Sequence, residues 1–173
     1  MRTGPRRIDA TDNPHNASAR QAPHRSPAMV SILVIAHAPL ASALVTAARH
    51  VYSRDPCTAA AFLSGLDVAA DAQLPATIAA ANACVAQADH GQGVLVLTDI
   101  IGATPANVAA RLARPGQVAV AAGVNLPMLL RALCYGEQSL EAVLAKALAG
   151  GSQGVQALDD APPTQAPARP ASG

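Results

Sequence analysis

Apolar residues along this chain fall into short unbroken runs that alternate with stretches of helical spacing. The run Ser31-Ile32-Leu33-Val34-Ile35 is short and rich in β-branched residues, and it predicts a buried strand. Leu40, Leu44, Ala48 and Val51 follow at the spacing that puts apolar side chains on one face of a helix. Thr58 to Leu63 predicts a weaker strand. Leu74, Ile78, Ala81 and Val85 mark a second helix, with Pro75 near its start, where the missing N–H would have no partner in any case. Val94-Leu95-Val96-Leu97 is the most hydrophobic strand. Val118 to Ala122 predicts another, after the turn Arg114-Pro115-Gly116. Leu126 to Leu133 fits a short helix capped by Asn125. Leu140, Val143, Leu144, Ala147 and Leu148 give a final amphipathic helix, capped by Ser139.

Strands separated by helices imply βαβ units. The expected fold is therefore α/β: three layers, with a mainly parallel central sheet and helices on both faces. Residues 1–28 are rich in Arg, Pro, Asn, Ser and His and have no apolar period, so they are expected to be a disordered N-terminal extension. Met29 directly precedes the first apolar run and is a second candidate start. The Pro- and Ala-rich residues 159–173 are expected to be a disordered tail, which leaves 29–158 as the globular domain.

Composition narrows the function. Hydrophobic residues make up 51% of the chain but aromatics only 2%, so the core must be built from Ala, Val, Leu and Ile. The net charge is +1, and Arg2, Arg6, Arg7, Arg20 and Arg25 all lie before residue 29. Segment 29–158 is nearly neutral, with six basic and seven acidic residues and no basic stripe, which argues against a nucleic-acid partner. Cys57, Cys84 and Cys134 are far apart and form no CxxC or zinc-type spacing. Buried, reduced thiols in a cytoplasmic protein are expected, with no metal and no cofactor. The uncharged stretch 28–48 follows a basic segment, as an export signal would. His37 and Pro39 interrupt it, however, and its period changes at Pro39 from a strand-like to a helical one. No GxGxxG or GxxxxGK[ST] is present, and neither Ser31 nor Ser42 sits in a G-x-S-x-G elbow.

In parallel sheets, ligands bind beyond the carboxyl ends of the strands. That rule selects His37 after the first strand, Asp99 after the third and Gly123-Val124-Asn125 after the fourth. Imidazole titrates near pH 6.5, so a neutral nitrogen can serve as a nucleophile at physiological pH. Asp99 ends the most hydrophobic strand, and a buried carboxylate needs a partner. Adjacent parallel strands would place it beside His37, where it could accept from Nδ1–H and leave Nε2 as the nucleophile. Gly102 permits an unusual backbone angle. Thr104 and Pro105 read as the cap and first residue of a helix whose N–H groups suit a phosphate. Asn125 either shapes the site floor or simply caps. His50 and His90 fall at helix ends and His15 and His24 in the N-terminal extension, and Asp67 and Asp71 read as solvated loop residues.

Four blocks in order carry a resemblance: Ile35-Ala36-His37, Leu97-Thr98-Asp99 through Gly102-x-Thr104-Pro105-x-Asn107, Ala122 to Leu129, and Gly154 to Leu158. Together they resemble the mannose-type enzyme IIA (mannose/fructose family) of the bacterial phosphoenolpyruvate-dependent sugar phosphotransferase system. The resemblance implies a phosphotransferase with a phosphohistidine intermediate. His37 would accept phosphate from the carrier HPr and pass it to a separate IIB protein, with Asp99 orienting the ring and Thr104 and Gly102 at the phosphate. It also implies a cytoplasmic homodimer in which a late strand crosses to the partner subunit, and a link to the membrane only through a transporter. The family's usual Thr-His-Gly is Ala36-His37-Ala38 here, and two usual aromatics are Ile101 and Ala106. A regulatory protein that reports phosphorylation state would use the same His37. In a non-catalytic α/β binding module, His37 would be structural. Sugar identity is not encoded, because a carrier at this position never touches the sugar.

Overall fold

The computed structural model describes residues 29–54 and 58–158. Its elements are β1 (Ser31–His37), α1 (Leu40–Val51), β2 (Leu63–Val68), α2 (Leu74–Ala88), β3 (Val94–Thr98), α3 (Thr104–Ala110), β4 (Val118–Ala122), α4 (Leu126–Cys134) and α5 (Leu140–Gln153). The four strands pair in the order β2-β1-β3-β4, and every pair is parallel. Ile35 lies between Leu66 on one side and Thr98 on the other.

The expected three-layer architecture is present. One sheet face packs Ile32, Val34, Ala36, Leu95 and Leu97 against α1, α4 and α5. The other packs Leu33, Ile35, Val94 and Val96 against α2 and α3. Ile32 to Ile35 and Val94 to Leu97 are all fully buried. Such continuous apolar runs are what a sheet covered on both faces requires. Each buried Leu, Ile or Val contributes roughly 1.5–3 kcal/mol, so a core nearly free of aromatics is assembled from many moderate contacts.

The second strand lies later than its apolar pattern predicted. Thr58–Phe62 winds into a 3-10 turn, and β2 begins at Leu63. Pairing with β1 sets the register and outweighs local preference. Gly65 inside β2 looks like a strand weakener, but α1 passes directly over it. A Cβ there would stand 3.1 Å from Val45 Cγ2 and 3.3 Å from the Ala41 carbonyl.

The thiols also differ from expectation. Cys84 is only partly buried, with its pKa raised by desolvation, and Cys134 is exposed. Cys57, the N-terminal extension and the tail lie outside the described residues. Residues 154–158 follow α5 without strand pairing and are exposed. Among the described residues no helix is long and apolar enough to cross a membrane.

Candidate active site

The strand order creates the crevice. From β1 the chain turns through α1 to β2 on one side, and from β3 it turns through α3 to β4 on the other. The two connections diverge to opposite faces of the sheet, so the carboxyl ends of β1 and β3 form the topological switch point, which is where ligands bind in open α/β sheets. His37 is the last residue of β1, and Asp99 is the first after β3.

These two residues meet as their positions predicted. His37 Nδ1 lies 2.7 Å from Asp99 Oδ2, and the backbone N–H of His37 donates to the same oxygen at 2.9 Å. The second oxygen, Oδ1, accepts from the Ile100 N–H at 2.8 Å. The Asp99 side chain is only 6% exposed, whereas that of His37 is 46% exposed. The carboxylate is thus sunk in the crevice and the ring faces outward.

Burial pushes the Asp99 carboxyl up. The hydrogen bonds from the His37 backbone, the His37 ring and the Ile100 backbone outweigh it, and the charge of His37 adds to them. The net effect holds Asp99 below the ordinary carboxylate range. An ionised carboxylate can only accept, so Nδ1 must carry the proton of the shared hydrogen bond. Neutral His37 therefore keeps its lone pair on Nε2, the nitrogen turned away from Asp99.

The loop after Asp99 forms the second wall. Gly102 takes φ +87°, and a Cβ there would meet nothing within 4 Å. The backbone angle, not the space, requires glycine. Thr104 is not the helix cap. Ala103 holds that position without a side-chain cap hydrogen bond, and Thr104 is the first residue of α3, with Pro105 next. The Thr104 side chain is exposed. Alanine has no oxygen to cap with, so the first turn is held by backbone and by Asn107. Ala103 N–H bonds the Ile100 carbonyl at 3.2 Å, and Asn107 Nδ2 donates to the Gly102 carbonyl at 3.1 Å.

The fourth-strand loop is tied to the same spot through backbone. Gly123 N–H donates to the Asp99 carbonyl at 2.7 Å, and Val124 N–H donates to the Thr98 carbonyl at 2.9 Å. Asn125 caps α4 as its sequence predicted, accepting from Met128 N–H at 2.9 Å. Its amide also reaches the Gly151 carbonyl of α5 at 3.3 Å. Its side-chain bonds hold the loop and the α4–α5 pair together and do not include His37.

The other histidines lie elsewhere. His50 is exposed in the last turn of α1. His90 is exposed beyond α2, at the opposite end of the sheet, with its ring edge-on to Phe62 at 5.6 Å. Among the described residues no group of three or more His, Cys, Asp or Glu could hold a metal ion. Two residues gain roles that local pattern did not suggest. Asn107 closes the Gly102 turn, and Asp67, expected in a loop, lies in β2 and bonds the Ser42 N–H at 3.2 Å.

Comparison with known proteins gives the family. Residues 31–148 match the family described as the phosphotransferase system fructose IIA component, and this span includes His37, Asp99, Gly102, Thr104 and Asn125. The chain belongs to this family. It is 37% identical over 94 residues to the mannose-specific EIIAB component of Escherichia coli (strain K12), a match covering 53% of this chain and 29% of that protein. The aligned part is thus less than a third of the curated relatives it matches. The mannose/sorbose specific IIA subunit from Enterococcus faecalis superposes with TM-score 0.66 at 25% identity, covering 79% of this chain and 99% of that one. The component EIIA from Streptococcus agalactiae shares the fold at 21% identity, with TM-score 0.63 and coverage of 75% and 97%.

Proposed function

We propose that this IIA chain is a phosphoryl carrier of the sugar phosphotransferase system, taking phosphate from phosphorylated HPr on His37 and giving it to a IIB partner. The carrying observation is the 2.7 Å contact between His37 Nδ1 and the buried Asp99 carboxylate. It fixes the tautomer and directs Nε2 outward, toward a protein donor.

In the forward step the Nε2 lone pair attacks phosphorus. The new N–P bond forms as the donor's bond to phosphorus breaks, and the donor's leaving group takes that electron pair. The proton on Nδ1 stays in place, and the positive charge that develops on the ring is met by Asp99. The second transfer runs the same step in reverse toward a nucleophile on IIB. Gly102 and the Thr104 hydroxyl are the groups assigned to the phosphoryl oxygens, and Asn125 shapes the site indirectly by fixing the neighbouring loop.

The rim suits protein partners. Ile100 and Ile101 are 64% and 84% exposed beside the buried Asp99, and such apolar side chains are what docking covers. A cytoplasmic homodimer is part of the proposal. Val155 and Leu158, 77% and 97% exposed beyond α5, are the residues a partner subunit would cover.

The test is direct. Incubated with phosphoenolpyruvate, enzyme I and HPr, the protein gains an acid-labile phosphate. His37→Ala removes the label, and His50→Ala keeps it. Label retained by His37→Ala overturns the assignment.

A further inference from the structure

α1 begins three residues after His37, yet its own sequence gives it no cap. Pro39 occupies the N-cap position without a side-chain hydrogen bond, and the first turn contains no acidic residue. A helix start leaves several N–H groups unpaired and carries a partial positive charge. The missing acceptor arrives from another element. Asp67 Oδ1, on β2, accepts from the N–H of Ser42, the third residue of α1, at 3.2 Å. That N–H is among those a conventional N-cap side chain would bind.

β2 grips the His37 turn at a second point, one residue on. Ala38 N–H donates to the Val68 carbonyl at 3.0 Å. Asp67 and Val68 thus pin both ends of the short turn that carries His37 out of the sheet. Gly65 makes this reach possible. It leaves α1 close against β2, with Ala41 backbone 3.3 Å from where a Cβ would sit. Gly65 and Asp67 are two residues apart and so face the same side of the strand.

We infer that Asp67 is a positioning residue for the reaction at His37, acting by capping α1 from across the sheet edge and so fixing the turn that presents the ring. The inference rests on the phosphocarrier reading for its kinetic consequence but not for its structural one. An error of 1 Å at reacting groups costs on the order of 10²-fold in rate. A partial loosening of the turn therefore predicts a fall of about tenfold in Asp67→Ala. Asp67→Asn keeps an equally good cap acceptor and restores the rate.

The experiment uses the full chain and two readouts. The first is amide exchange of Ser42 and the ring resonances of His37 in unphosphorylated protein. The second is the rate of phosphoryl transfer from phosphorylated HPr at saturating and limiting donor. In Asp67→Ala, Ser42 exchange accelerates, the His37 ring signals shift and the saturated rate falls with little change in half-saturation, while Asp67→Asn resembles wild type. Gly65→Ala, which pushes α1 away from β2, reproduces the Ser42 effect. A wild-type transfer rate in Asp67→Ala despite faster Ser42 exchange overturns the positioning role, as does failure of Asp67→Asn to restore the rate. If wild type itself takes no phosphate, the carrier reading fails, and the Ser42 and His37 signals still decide whether Asp67 sets the turn.

Discussion

α1 and α3, the helices that follow His37 and Asp99, begin differently from α4 and α5. α4 and α5 are capped by their own preceding residues, Asn125 to Met128 N–H at 2.9 Å and Ser139 to Ala142 N–H at 3.3 Å. α1 and α3 start from Pro39 and Ala103, neither of which contributes a side-chain cap. At α1 the acceptor comes from Asp67 on another strand, and at α3 the turn is braced by Asn107 from within the helix. The local caps hold α4 and α5, and the Asn125 amide also ties the loop after β4 to α5. Beside His37, the capping oxygens that would fill the crevice are absent from the loop itself.

This contrast ranks the variants. His37→Ala produces the largest effect, loss of labelling to background, because no other described histidine has a buried carboxylate on its Nδ1. Asp99→Asn comes next. Its amide can turn an N–H toward Nδ1, which favours the wrong tautomer, and transfer should fall on the order of 10²-fold in a labelling time course, with the fold retained. Asn125→Ala acts on the other side of the comparison. Losing a cap costs about 0.5–2 kcal/mol of stability in a denaturation curve, and the rate of labelling should fall far less than in Asp99→Asn. Equal losses of transfer in Asn125→Ala and Asp99→Asn would erase the distinction between structural and reactive starts.

Acid titration gives the smallest and most specific effect. Asp99 is held below the ordinary carboxylate range when folded. Its ionised form therefore stabilises the fold at pH above that of an unfolded aspartate, near 3.9, and this contribution is lost as pH falls through the lower folded value. Wild type should lose stability over that acid interval more steeply than Asp99→Asn in parallel thermal melts. Parallel slopes would mean that burial cancels the hydrogen bonds and leaves the folded Asp99 no more acidic than an unfolded aspartate.

Much of this was legible in the chain itself. The runs Ile32–Ile35 and Val94–Leu97 announce doubly covered strands because nothing polar interrupts them. The rule that ligands sit past strand ends brings His37 and Asp99 together from the sequence alone. Asn125 and Ser139 were readable because a cap and its target are close in sequence. β2 was misplaced because an edge strand with mixed burial is defined by pairing with β1 rather than by its own pattern. Thr-Pro is a common helix start and predicts Thr104 as the cap, yet the chain starts the helix one residue earlier, from alanine. Asp67 was unreadable for the complementary reason. Its target, Ser42, lies 25 residues away and meets it only once β1 and β2 are in register.

The most direct test of the account is nitrogen-15 NMR of the full chain after phosphorylation by phosphoenolpyruvate, enzyme I and HPr. Because Asp99 holds Nδ1–H of His37, the account predicts phosphorus coupled to Nε2 of His37, with Nδ1 still protonated. Phosphate on Nδ1, or on any residue other than His37, would contradict it.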